Sequence, residues 1–171
     1  MSLVLKEARS EFKTEKNMTL GFPLRDGEVL LGLKRRGFGV GKWNGVGGKL
    51  ENGETFDQCM IREAREEIGI SIKKLEYAGN ITIYLLNQPN VNKFNVGIYR
   101  IHQWNNKPRE TEEIIPKWFN INALPFDKMW DDDKLWLEHV LRGSNISAEL
   151  LIDERTSQLL EHNIDLKSQK R

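Results

Sequence analysis

Six of the twelve residues from Gly37 to Gly48 are glycine, and a helical pattern begins at Thr55, seven residues past the last of them. Glycine at that density excludes a helix and suits a loop whose backbone must approach something closely. Segment 55–68 then reads as a helix. Thr55 and Gln58 form a capping box, Gly69 stands where a C′ glycine belongs, and Phe56, Met60 and Ala64 mark a buried stripe. Any fold open to this chain must feed a glycine loop into the start of an amphipathic helix.

That helix carries Glu63, Glu66 and Glu67 at i, i+3 and i+4, so three carboxylates leave one face. Like charges at this spacing destabilise an isolated helix and call for compensation. A hard divalent cation supplies it: Mg²⁺ prefers oxygen ligands and completes its shell with water and substrate phosphates. Backbone carbonyls at Gly47 or Gly48 are placed to join, and Arg62 is placed to fix a carboxylate through a bidentate pair. The bland alternative is a solvated acidic face with Arg62 and Arg65 as surface partners, which three glutamates alone more often signify.

The remaining chain bounds the class. With 171 residues, 26 Lys+Arg against 25 Asp+Glu and 39% hydrophobic residues, a single globular domain is expected at residues 18–171. Near-zero net charge argues against a nucleic-acid polymer as partner, and no apolar run reaches the ~18 residues of a membrane span. The lone Cys59 excludes an internal disulfide and fits the cytoplasm. Residues 1–17 read as a polar tail, in part a leftover of cloning, with order beginning at Met18. Arg25-Asp26-Gly27-Glu28 between apolar runs signals a hairpin, and Pro23 suggests an edge strand or a bulge. Strands are expected at 75–86, 94–101 and 114–119, and a helix at 130–141 with Asp131, Asp132 and Asp133 in its first turn. Segment 147–166 fits a helix or, preferably, a hairpin.

Other phosphate motifs fail. Gly48-Lys49 is followed by Leu50, so there is no P-loop, and no G-x-G-x-x-G or H-E-x-x-H is present. Gly48, five residues, Glu54, seven residues, then Arg62-Glu63-Ala64-Arg65-Glu66-Glu67-Ile68-Gly69-Ile70 resembles the Nudix box at every defined position. The resemblance implies an α/β (α+β) fold, a mixed β-sheet sandwiched between helices. It also implies hydrolysis of a nucleoside diphosphate linked to another group. Glu63, Glu66 and Glu67, with the Gly47/Gly48 region, would hold Mg²⁺ or Mn²⁺. Glu113 is the candidate for a further glutamate from outside the box, a surface acidic turn being its equal alternative.

Leu31–Gly39, Lys42-Trp43-Asn44-Gly45 and Pro125–Trp130 look like the oxidised purine nucleoside triphosphate hydrolases of animals, the MutT type that sanitises the nucleotide pool. By that likeness Trp130 stacks on the purine, Asn44, Asp132 and Asp133 read its edge, Phe38 lines the wall, and Lys34 joins the substrate-binding set. Without it, the aspartates cap a helix, Trp130 is core and Asn44 is a turn residue. Asp131 stands where those enzymes carry proline, and Ile83 where a pocket phenylalanine is expected. The expected partner is a small nucleotide, with a monomer favoured. Two alternatives stay open: a Nudix enzyme acting on ADP-ribose, a dinucleoside polyphosphate, or an undamaged or methylated purine nucleotide; and a non-catalytic nucleotide-sensing module.

Overall fold

The computed structural model describes residues 3–169. Along the chain run α1 (Leu5–Glu11), β1 (Thr14–Arg25), β2 (Glu28–Lys34), β3 (Trp43–Asn44), α2 (Phe56–Ile68), β4 (Ser71–Asn87), β5 (Asn90–Asn105), β6 (Ile114–Asn120), α3 (Asp133–Leu141), β7 (Asn145–Asp153) and β8 (Leu159–Lys167). Asp26 and Gly27 both take positive φ, 37° and 76°, so the β1–β2 hairpin turns as its Asp-Gly signal requires. The strands form one mixed sheet in the order β3-β2-β1-β5-β4-β7-β8, with β6 added to β2. β1 runs parallel to β5 and β4 parallel to β7, while the other pairs are antiparallel.

Strict alternation splits the apolar residues between two faces. Val29 and Leu31 of β2 and Ile98 of β5 pack with Trp136, Leu137 and Val140 of α3. Leu30, Tyr99 and Ile101 point the other way, onto Met60, Ala64 and Ile68 of α2. The sheet therefore lies between α2 and α3, as the expected sandwich requires. The 147–166 segment is the preferred hairpin, β7 against β8 from Asn145↔Lys167 to Ile152↔Leu159. No helix among the described residues is long and apolar enough to cross a membrane.

Three expectations need correction. Ordered structure begins at Leu5 rather than Met18: α1 sets Leu5 and Ala8 against Tyr84, Leu86, Val91 and Leu151, on the sheet face that α2 also covers. Arg9 adds a bidentate pair to Glu149 at 2.9 and 2.7 Å. Pro23 is not on an edge strand, because β1 has β5 along one side. On the other side Thr19 and Gly21 donate to Gly48 and Val46, and the β2 ladder starts at Leu24. Pro23, next in that alternating row, falls where β1 changes partners, so its missing N–H interrupts nothing. Finally, α3 begins at Asp133, three residues later than expected, and Asp132 at its N-cap position makes no side-chain cap bond.

Candidate active site

The rotation of α2 decides which glutamates meet the loop. Thr55 Oγ1 accepts from the Gln58 N–H at 3.1 Å, Gln58 Oε1 accepts from the Thr55 N–H at 2.9 Å, and Gly69 closes the helix at φ 75°. Burying Met60, Ala64 and Ile68 against the sheet then turns Glu63 and Glu67 toward the glycine loop. Gly47 lies against the β1 backbone at Thr19, where a Cβ would collide with the Thr19 carbonyl. Its φ of 157° adds strain for any other residue. A Cβ on Gly48 would occupy the space of the Glu63 carboxylate. Close approach of backbone thus requires glycine at 47, while glycine at 48 leaves Glu63 its place.

Arg62 holds Glu54 bidentately, at 2.7 and 3.0 Å, and also donates to Glu63 at 3.0 Å, Glu66 at 3.1 Å and the Lys49 carbonyl at 3.1 Å. The guanidinium hydrogen bond holds the Glu54 carboxyl down at about 2. Glu63 moves the opposite way: burial raises its carboxyl against the pull of Arg62. Glu67 is the most enclosed of the three at 5% exposure, and burial pushes it up to about 8 although Gly47 N–H donates to it at 2.7 Å. Glu66 and Glu113 line an open depression that also contains Arg35 and Arg36, while Glu66 shares the Arg62 Nη1 with Glu63. Glu113 pairs with Arg36 at 3.0 Å, although its charge is felt at both Glu63 and Glu67.

A cavity of about 490 Å³ runs from Glu67 and Gly47 across the α3 face of the sheet. Lys34, Phe38, Asn44, Trp130, Asp132 and Asp133 all line it, so residues from four separate stretches of sequence converge. Phe38 and Trp130 lie 5.0 Å apart with their rings tilted by 30°, and Lys42 Nζ sits 5.2 Å from the Trp130 ring. Asn44 Oδ1 accepts from the Gly45 N–H at 2.8 Å, leaving its amide N–H groups to donate elsewhere. Asp132 Oδ2 accepts from Trp136 Nε1 at 2.8 Å, whereas Asp133 Oδ2 has no partner among the described residues. Burial raises both carboxyls, and at Asp133 the neighbouring Asp132 charge adds to the effect of burial. A buried pair of this kind can donate or accept.

Ile83 lines the same wall. The sequence reading missed Lys42, Lys49, Trp136 and Glu154, which also line the cavity. Trp136 had a signal, its i, i+4 spacing from Asp132, and Lys42 and Lys49 stand beside the marked Asn44 and Gly48; Glu154 had none, because only tertiary structure brings its segment here.

A model of the NUDIX domain matches residues 17–140. The chain is 42% identical to the oxidized purine nucleoside triphosphate hydrolase of Danio rerio, over 89% of this chain and 96% of that one. It is 38% identical to the protein of the same name from Mus musculus, over 85% and 92% respectively. Among solved structures, a MutT protein from Bacillus halodurans superposes with a TM-score of 0.78 at 22% identity, covering 88% of this chain and 97% of that one, which speaks to the fold.

Proposed function

This chain belongs to the Nudix family of hydrolases, and from that premise we propose that it cleaves oxidised purine nucleoside triphosphates, such as 8-oxo-dGTP and 2-hydroxy-dATP, to the monophosphate and pyrophosphate. One observation carries the reading. A single cavity is lined by a buried catalytic-type carboxylate, Glu67, and by an aromatic face with a convertible donor–acceptor set, Trp130, Asn44, Asp132 and Asp133. The relatives from fish and mouse carry that activity in their names.

Nudix hydrolases work with divalent cations. The site fits one: Glu63 and Glu67 are enclosed carboxylates raised by burial, the missing Gly48 side chain leaves room for Glu63, and the available donors are oxygens. We assign Glu63, Glu66 and Glu67 with the Gly47/Gly48 backbone to that cation, Mg²⁺ before Mn²⁺, with Glu113 as a further carboxylate. When bound, the cation spreads the charge developing on the phosphoryl oxygens and acidifies the attacking water. Lys34 and Lys49 bring positive charge to the cavity wall beside Glu67, where a polyphosphate needs it. Arg62 keeps Glu54, Glu63 and Glu66 from repelling one another before substrate arrives. Trp130 offers a face to any purine, Asn44 donates, and the aspartate pair supplies whichever proton arrangement the base edge demands. Glu67 and Glu63 are the foremost candidates for proton acceptor, with Glu113 a further one. We place the protein in the cytoplasm, as a monomer acting on free nucleotides.

The deciding experiment is pyrophosphate release with Mg²⁺ across 8-oxo-dGTP, 2-hydroxy-dATP, dGTP, methylated purine nucleotides and ADP-ribose. Preference for the oxidised purines is the expected result. Preference for ADP-ribose or an undamaged nucleotide would retain the glutamate chemistry and discard the purine-damage assignment. Trp130→Ala should raise KM about tenfold, the scale of one lost base–aromatic stack, and flatten the preference among purines. An unchanged specificity profile would make Trp130 a core residue.

A further inference from the structure

The lining of the cavity is apolar along β4 and β5, through Ile81, Ile83, Phe94 and Val96, and becomes polar again at Glu154, on the turn between β7 and β8. Glu154 Oε2 is enclosed and has no hydrogen-bond partner among the described residues. Leaving a carboxylate oxygen so is costly. The Glu154 N–H donates to the Leu86 carbonyl at 3.0 Å, which ties the turn to the end of β4. Asp153 Oδ1 accepts from the N–H groups of Arg155 and Thr156 at 2.9 and 3.2 Å, which shapes the turn from within. The Leu159 N–H reaches Asp131 Oδ2 at 3.3 Å, joining the turn to the segment that presents Trp130, Asp132 and Asp133. An unsatisfied acceptor thus sits on a braced turn at the wall of a cavity sized for a nucleotide.

The stacking face and the aspartate pair take part in reading the purine, but a stacking face receives any purine and a convertible aspartate pair can meet either a donor or an acceptor. An isolated carboxylate oxygen is different, because it is satisfied only by a donor. Oxidation of guanine at C8 supplies one: N7 of guanine is an acceptor, and in 8-oxoguanine it carries a hydrogen. We infer that Glu154 is a specificity-determining residue of this enzyme, accepting a hydrogen bond from the N7–H of an 8-oxoguanine base and meeting guanine N7 with an unfavourable acceptor–acceptor contact. The inference rests on reading the cavity as a purine site.

The test is kcat/KM for 8-oxo-dGTP and dGTP, with Mg²⁺, in the wild-type chain, Glu154→Leu and Glu154→Gln. Glu154→Leu should lower the value for 8-oxo-dGTP about tenfold or more, the loss expected for a hydrogen bond to a charged group, and raise the value for dGTP, whose N7 no longer meets an acceptor. Glu154→Gln, whose amide can donate to guanine N7, should narrow the ratio by raising dGTP, and it decides the matter if the leucine variant fails to fold. Equal losses on both nucleotides would mean a structural role and overturn the inference. A strong wild-type preference that both variants retain would overturn it while leaving the purine-damage reading in place. A wild type that does not distinguish the two nucleotides would overturn both.

Discussion

Glu67→Gln loses at least about a hundredfold in kcat and yet makes the metal-free protein more stable at pH 8, where most substitutions of a buried residue cost stability. The two halves have one cause. Glu67 is buried, its carboxyl is lifted by that burial to about 8, and an unfolded glutamate titrates near 4.3. Between those values the folded chain keeps a proton that the unfolded chain has released, so stability falls as pH rises through the window. The loss is complete above about pH 8 and amounts to about 5 kcal/mol at most. Glutamine carries no charge to desolvate, and its Oε1 can still accept the Gly47 N–H that reaches Glu67 at 2.7 Å. Loop and helix therefore stay in place while the anionic oxygen that a cation needs is gone. Pyrophosphate release gives the kinetic half. Urea unfolding with a chelator at pH 5 and pH 8 gives the other: the wild type should lose stability between these points and the variant should not. Full retained activity would remove the glutamate helix from the mechanism, and parallel pH slopes would refute the buried-charge account.

The helix that carries this chemistry could be read from sequence because everything that defines it is local. The Thr55–Gln58 box, the apolar stripe and the Gly69 terminator lie within fifteen residues, and each is present in the structure. The Asp-Gly hairpin was legible for the same reason. α1 was not: seven residues are too few to hold a helix without tertiary support, and that support comes from Tyr84, Leu86 and Leu151, far along the chain. Asp132 and Asp133 look like helix-capping residues in sequence, and only the fold reveals that they are 5% and 3% exposed against Trp136. The expected base-pocket residues do converge on one cavity, but nothing local marks Glu154, which arrives on a turn more than sixty residues past β4.

Arg100 was equally invisible, an arginine in the middle of a strand, and Arg100→Ala should cost about 3–5 kcal/mol of unfolding free energy. The side chain is 2% exposed and each of its nitrogens is engaged. Nη1 donates to the Val140 and Ser144 carbonyls at 3.0 and 2.8 Å, Nη2 to Asn145 Oδ1 at 2.9 Å, and Nε to Glu76 at 2.5 Å. Removing it strips the donors from the end of α3, the helix whose other end is Asp133, and leaves Glu76 with His102 and Gln169 among the described residues. The Arg100 hydrogen bond, helped by His102, holds the Glu76 carboxyl down at about 2. A depressed carboxyl stabilises the fold above its unfolded value near 4.3, and that contribution disappears as pH falls toward 2. Wild type should therefore lose stability over that acid range more steeply than Glu76→Gln. Urea midpoints at pH 7 measure the arginine directly, and a loss below about 1 kcal/mol would show that α3 is anchored by its apolar face alone. If the full loss appears, Arg100 links the centre of the sheet to the helix that presents the aspartate pair. Its removal should then weaken purine binding as well as the fold, which KM for the preferred nucleotide at a temperature well below unfolding would register.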